Sequence, residues 1–419
     1  MKIYSHSFRL IEILHYLCRV LLNEATWNYV LQHADEDVRK VALQGAKDPE
    51  VDLTIALQQI AGRQAARKKL PSWAAVEGIV YPPHLNMEQC SSEQTACYKA
   101  QLAGEGESMV DLTGGFGVDF YWMSQGYRHR SYIEQDEQIC AISSENFRLL
   151  GHDCDVVCGS ASDYLKEMPR VSLVYLDPAR RNEHGGRTYS IEDCNPNVLE
   201  LLPLLMEKAD RVMLKLSPML DWRKAVADLQ HVSEVHIISV DNECKELLLV
   251  LGKEPAEGLR LCCVNNGGTF EVLNRNVSSL RITTEGSSVV IRFSANWEEA
   301  AFLYEPNASI MKAGCFAELC ERYPVEQVAQ NSHLFLSSVE IDDFPGRSFR
   351  IEAISSMNKQ ETSQKVSALK SANISVRNFP LTADQLRKKL KLKDGGNAYI
   401  FATTVLNGGH KLFICRKIS

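Results

Sequence analysis

The segment VDLTGGFGVDF, Val110 to Phe120, constrains this chain more than any other stretch: an apolar run ending in Asp111 passes into a turn with glycines at 114, 115 and 117. Glycine accepts positive φ and lets a ligand come close to the backbone. The following segment, Val118 to Tyr127, reads as a helix whose N-terminus faces the turn. Strand, glycine turn and helix in that order suit an α/β nucleotide-type site, although many α/β proteins make such a turn with no ligand. GGFG lacks the G-x-G-x-x-G spacing of a pyrophosphate clamp, so an adenosine without a pyrophosphate fits better than a nicotinamide dinucleotide. His129 to Ile133 reads as the next strand and delivers Glu134 to the same edge, where a carboxylate can accept two ribose hydroxyls. Alone, Glu134 would read as a solvated strand end.

At 419 residues the chain exceeds one ordinary core and implies two or three domains. The apolar run LIEILHYLCRVLL is interrupted by Glu12, His15 and Arg19, which argues against a membrane span and a secretory segment and makes the cytoplasm the expected compartment. The thirteen cysteines form no C-x-x-C pair, so reduced core thiols are expected and no metal. The formal charge of −7 conceals an asymmetry: Gly346 to Ser419 holds fourteen Lys or Arg against four Asp or Glu, about +10, leaving about −17 before it. Its densest part is LRKKLKLKDGG, where Arg387, Lys388, Lys389, Lys391 and Lys393 follow a capping box at Thr382 and Gln385. Such a face is either a solvated helix surface or a contact for a phosphate backbone.

Apolar periodicity divides the chain into an N-terminal helical region, 1–80, a βαβ region, 81–254, a small α+β region, 255–325, and a basic α+β region, 326–419. Within the second, Asp153 to Cys158, Val171 to Leu176, Arg211 to Leu216 and Glu234 to Val240 read as successive strands after the one ending at Glu134. The C-terminal ends of such strands form the crevice where ligands bind. After only DNEC, the run KELLLVLG follows, and so short a link requires an antiparallel hairpin strand. A parallel sheet closed by an antiparallel last strand distinguishes class I S-adenosylmethionine-dependent methyltransferases, a Rossmann-like α/β fold. In the third region RLCCV, TFEVL and SSVVIRF read as short strands and Ala313 to Tyr323 as a helix; near the end, NAYIFATTVLNGGHKLFICRKI reads as a hairpin turned at Asn407 to Gly409.

The set EQCSSEQTACYKAQL, VDLTGGFGVDF, YIEQDEQICAISSENF, YLDPARRN, LKLSPMLD and NECKELLLVL resembles a bacterial family of class I methyltransferases that ends in a THUMP-like domain. The resemblance implies a seven-stranded methyltransferase sheet, a ferredoxin-like and THUMP-like α+β end, S-adenosylmethionine as cofactor and RNA as partner. It places Asp111, Thr113, Gly114, Gly115 and Gly117 at the methionine end of the cofactor and Glu134 with Gln135 at the ribose; Asn146 also falls at a position such proteins use. After the third strand many relatives carry an acid against the adenine, where this chain reads GSA, so Ser160 and Ala161, or Asp163, would take that edge.

DPARR, after the fourth strand, stands where amino-directed methyltransferases carry Asn or Asp followed by Pro-Pro and an aromatic. Asp177 and Pro178 match that motif; Ala179 and Arg180 do not, and a guanidinium can instead stack on a base or bind a phosphate. The DPxR form is also similar to uridine C5-methyltransferases, which need a cysteine after the fifth strand, where this chain has Lys215, Leu216, Ser217 and Pro218. Cys194 lies earlier and reads as a chance match, and a salt-bridged strand end is the bland alternative for DPARR. The expected chemistry is in-line methyl transfer to an RNA nitrogen or oxygen, with Asp177 orienting or deprotonating the nucleophile and Arg180, Arg181 and Lys215 holding base or phosphate. A small-molecule methyltransferase and a non-catalytic RNA-binding protein of the same fold remain as alternatives.

Overall fold

The apolar run before the glycine turn is a central, buried strand. The computed structural model describes residues 22–180, 191–253, 258–274 and 291–418. Strands β1 (Gly106–Asp111), β2 (Tyr127–Glu134), β3 (Asp155–Cys158) and β4 (Val171–Leu176) are followed by a two-residue ladder of β5 (Ala179–Arg180) with β6 (Cys194–Asn195), and then by β7 (Ala209–Leu216). β1 pairs in parallel with β2 and β4, β2 with β3 and β4 with β7. Val174 to Leu176 and Val212 to Leu216 are buried throughout, as strands covered on both faces must be. After β8 (Val232–Val240), the short link leads straight into β9 (Glu243–Gly252), which lies beside β8 and runs antiparallel to β7 with Leu216 opposite Leu247.

The full sheet has nine strands in the order β11-β10-β8-β9-β7-β4-β1-β2-β3. β10 (Leu259–Asn265) pairs in parallel with β8, and β11 (Gly268–Asn274) closes a hairpin on β10. RLCCV and TFEVL, which the sequence assigned to a separate small region, therefore extend the methyltransferase-type sheet. Their short length and local hairpin turn suit a small α+β domain equally well, and the parallel ladder to β8 is a non-local fact that periodicity does not carry. SSVVIRF lies mostly outside the described residues, as do the apolar run before Leu22 and Arg181.

The chain divides into two compact units, residues 1–233 with 247–256 and residues 234–246 with 257–419. In the first, the helices Glu24–Gln32, Val38–Gln44 and Leu53–Lys69 share a core of Val30, Val41, Ala56 and Ile60. Each begins with a side-chain cap, from Asn23, Asp37 and Asp52. The link after them is gripped from two sides: Gln59 exchanges hydrogen bonds with the Tyr81 backbone, and Asn146 accepts from Val80 N (2.9 Å) and donates to Val80 O (2.8 Å). Asn146 is thus spent on holding the chain, and its place in the sequence is explained by structure. The helix predicted over Val118 to Tyr127 ends at Met123, a 3₁₀ turn follows over Ser124–Gly126, and Tyr127 already begins β2.

In the second unit a seven-stranded sheet runs in the order β13-β14-β12-β15-β18-β17-β16. Its strands are β12 (Phe302–Pro306), β13 (Glu326–Gln327), β14 (Phe335–Ser337), β15 (Gly346–Ser356), β16 (Asn373–Arg377), β17 (Ala398–Thr404) and β18 (His410–Lys417). Alternation along β17 and β18 sends Phe401, Phe413 and Cys415 to a core shared with Leu303, Leu334 and Leu336, and Ile400, Ala402, Leu412 and Ile414 to a core shared with Val366 and Leu386. The single helix predicted over Ala313 to Tyr323 is two, Ala308–Ala313 and Phe316–Arg322, parted by Gly314 at φ +73°. β17 and β18 form the predicted hairpin, with Gly408 at φ +84° in its turn.

Candidate active site

Asp111, at the end of β1, is almost fully buried and accepts a hydrogen bond from Thr113 N at 2.9 Å. Burial raises its proton affinity well above the usual carboxylate range; the Thr113 amide opposes this, while Asp119, Asp177 and Glu134 add to it. Thr113 then turns its hydroxyl oxygen to the next strand over, accepting from Asp177 N at 2.6 Å. The end of β1 and the start of DPARR are therefore one hydrogen-bonded unit.

The three glycines divide by what surrounds them. A Cβ on Gly114 would stand 2.1 Å from the Tyr132 ring, and one on Gly117, which sits at φ +81°, would stand 2.5 Å from the Phe147 ring. Those two are demanded by packing beneath the turn. Gly115 is at φ +53°, and the nearest atom to a Cβ placed there is Thr113 O at 3.9 Å. Its carbonyl accepts from the Tyr132 and Ser143 hydroxyls, and its amide donates to Glu134 Oε2 at 2.7 Å. Glu134 also accepts from Asp136 N through Oε1, at 2.8 Å, so its carboxylate is fixed against the turn. The loop after β3 joins this edge through Gly159 N to Glu134 O at 2.8 Å, and a Cβ on Gly159 would meet open space. Gln135 and Ser160 are exposed and Ala161 half-buried; Asp163 is exposed and paired with Lys166.

On the other side of the turn, Lys215 from the end of β7 is buried and ion-paired with Asp177. Burial raises the Asp177 carboxyl above its ordinary range, and Lys215 works against that rise. Lys215 is thus committed first to Asp177, where the sequence suggested a phosphate or base. Pro178 follows Asp177 and leads into β5, where Arg180 stands opposite Cys194 in the ladder. Cys194 is buried, in keeping with its reading as a chance match rather than a nucleophile.

Sequence reasoning missed the residues behind this pair. Asp119, in the first turn after Gly117, lies 4.0 Å from Lys215 Nζ and 2.9 Å from Nζ of Lys99, which is wholly buried. Asp119 Oδ2 accepts from Ser91 Oγ at 2.8 Å and Tyr175 Oη at 2.7 Å, and Lys99 donates to Ser91 Oγ at 2.7 Å. Burial pushes the Asp119 carboxyl up, but Lys99, then Lys215 and the hydrogen bonds, outweigh it and hold it below its ordinary range. The signal available was Lys99 on the apolar stripe Thr95, Ala96, Lys99, Ala103 of the helix Glu93–Ala103. A lysine there must be paired or suffer a large desolvation cost.

In the basic region, Thr382 and Gln385 make the predicted capping box on the helix Ala383–Leu390. Arg387 is held by Asp384 and Asp394, each at 2.6 Å, whereas Lys388, Lys389, Lys391 and Lys393 are exposed. Among the described residues, no cluster of His, Cys, Asp or Glu could hold a metal ion, and no helix is long and apolar enough to cross a membrane.

Residues 346–417 match the model of a THUMP domain-like family, and residues 302–345 that of a ferredoxin-like domain. No curated protein matches the sequence. A crystal structure from Porphyromonas gingivalis W83, named a putative methyltransferase, superposes with a TM-score of 0.83 at 29% identity over 96% of this chain and 99% of that one. A putative class I S-adenosylmethionine-dependent methyltransferase from Listeria monocytogenes matches far more loosely, at TM-score 0.36 and 12% identity over 63% of this chain and 94% of that one. By its strand order, its likeness to the Porphyromonas protein and its two carboxy-terminal modules, the chain has a methyltransferase-like α/β fold followed by a ferredoxin-like and a THUMP-like domain.

Proposed function

We propose that the protein is an S-adenosylmethionine-dependent methyltransferase that acts on RNA. The observation that carries the cofactor assignment is the edge at Gly115: a positive-φ glycine whose missing side chain leaves open space, beside a carboxylate fixed at the end of the neighbouring strand. Asp111, Thr113, Gly115, Glu134 and Gln135 would hold the methionine and ribose ends, with Ser160 and Ala161 at the adenine. When bound, the cofactor supplies a methyl group on a sulfonium leaving group. The protein's own work is to align the acceptor and exclude water, and proximity is worth at most about 7 to 11 kcal/mol.

Asp177 carries a proton affinity raised by burial, which suits a carboxylate that accepts a proton from, or a hydrogen bond of, an attacking N–H or O–H. Its backbone amide is tied to Thr113, and Pro178 fixes the chain direction just beyond it. Lys215 neutralises the carboxylate, and Arg180 with Arg181 would meet base or phosphate. RNA as substrate is supported by the THUMP-like module and its exposed lysines at 388, 389, 391 and 393. A base must be unstacked to reach such a site, so a loop, an end or a flipped nucleotide is the expected target.

Titration calorimetry with S-adenosylmethionine tests the first half: wild type binds, and Gly115→Arg, which fills the open edge, does not. Equal binding by both proteins would refute the site. Mass spectrometry of nucleosides in tRNA and rRNA from cells lacking the protein tests the second half. Loss of one methylated nucleoside is the expected result, and an unchanged profile would favour a small-molecule substrate.

A further inference from the structure

Four charges lie in a row behind the glycine turn, contributed by four different elements: Lys99 from the helix before β1, Asp119 from the helix after the turn, Lys215 from β7 and Asp177 beyond β4. The signs alternate. Lys99 touches Asp119 at 2.9 Å, Asp119 stands 4.0 Å from Lys215, and Lys215 is in closest contact with Asp177. Lys99 is fully buried, and Asp119 and Lys215 are nearly so. Burying three charges costs far more than a surface network would return unless their arrangement matters, because removing any one leaves its partner uncompensated.

We propose that Lys99 and Asp119 are positioning residues that set how Lys215 divides itself between two carboxylates, and thereby set the charge state of Asp177. The proposal rests on the reading of Asp177 as the acid that meets the acceptor. Lys215 stands between two carboxylates. Asp119 would draw the ammonium away from Asp177 were it not already satisfied by Lys99, Ser91 and Tyr175. Lys99 therefore acts at a distance, by keeping Asp119 content and Lys215 forward.

Asp177 faces Lys215, Asp119 and Lys99, and Asp111 stands near it at the end of β1. Cys90, whose thiol is pushed up by burial, sees Lys69, Asp119 and Lys215, and Tyr175 meets Asp119 through its hydroxyl. Without Lys99, an unsatisfied Asp119 pulls Lys215 back, and the Asp177 carboxyl should hold its proton to higher pH. Without the Asp119 charge, Lys215 serves Asp177 alone, and the proton should leave at lower pH. Two substitutions at neighbouring buried sites thus move one group in opposite directions; the two charges also act on Asp177 directly with those signs, so the double variant is what separates division of Lys215 from that direct effect.

The test is a pH titration of the Asp177 carboxyl in the full-length protein, followed by NMR of [4-¹³C]aspartate-labelled samples and assigned by the signal missing in Asp177→Asn. It needs neither cofactor nor RNA, so it can succeed or fail independently of the methyl-transfer assay that judges the underlying reading. The expected result is a rise in the midpoint for Lys99→Met, a fall for Asp119→Asn, and a fall for the double variant, in which Lys99 no longer has a route to Lys215. Shifts of the same sign in both single variants, or the same Lys99→Met shift with and without Asp119, would overturn the proposal. Should Lys99→Met alone fail to fold, Asp119→Asn decides it: an unchanged or raised midpoint refutes the claim that Asp119 competes for Lys215.

Discussion

At the scale of single residues, the turn separates glycines that packing demands from one that it leaves open. Gly117→Ala would combine a positive φ with a methyl group pressed into the Phe147 ring, so a loss of roughly 1 to 3 kcal/mol in urea unfolding is expected. Gly115→Ala meets only Thr113 O, at 3.9 Å, and should cost only the smaller backbone strain, while weakening cofactor binding more than Gly117→Ala weakens it per unit of stability lost. His152 offers a second test. Burial, and then Arg130, lower its pKa to about 4 from an ordinary 6.5, with Asp153 opposing. The folded protein therefore binds fewer protons than the unfolded chain between those values, so stability should fall as pH drops from about 6.5 to about 4. His152→Gln should flatten that slope in thermal unfolding measured across the window. The sequence made Asp111, Glu134 and Asp177 legible because acids at strand ends recur at one sheet edge. Lys99 and Asp119 were not legible, because their meaning lies in mutual distance: they are twenty residues apart in sequence and an ion pair in space.

At the scale of elements, the strands were readable where both faces are buried, as in β4 and β7, and the hairpin into β9 was readable because four residues cannot make a crossover. β10 was readable as a strand but not as part of this sheet, because its partner, β8, is separated from it by the whole of β9. The helix Glu137–Leu149 shows an element doing two jobs. Its first turn follows Glu134 at the sheet edge, and its last turns carry Asn146 out to Val80. Asn146→Ala would orphan a backbone N–H and a C=O at Val80, and a loss of about 1 to 3 kcal/mol is expected in chemical denaturation. Cofactor affinity should change little, which separates this buried polar residue from those at the Gly115 edge.

At the scale of the whole molecule, a basic carboxy-terminal region that met RNA would do so in a salt-dependent way. Neutralising Lys388, Lys389 and Lys393 with glutamine and Lys391 with asparagine, which tolerates the left-handed conformation at φ +57°, should weaken RNA binding. The slope of log K against log salt should shrink by roughly one for each phosphate that the variant no longer neutralises, as read by filter binding or fluorescence anisotropy. An unchanged slope would assign these lysines to solvent. The ferredoxin-like and THUMP-like modules carry a further consequence. Their family boundary falls between Pro345 and Gly346, yet β12 on one side and β15 on the other are neighbours in a single sheet, with Phe302 opposite Arg350 and Pro306 opposite Gly346. Glu305, buried on β12, is clasped by Arg347 and Arg377 from beyond the boundary. Two family domains that meet at this boundary are sewn by the backbone into one fabric: a graft made at that seam would have to bring its own matching edge and two arginines for a stranded glutamate.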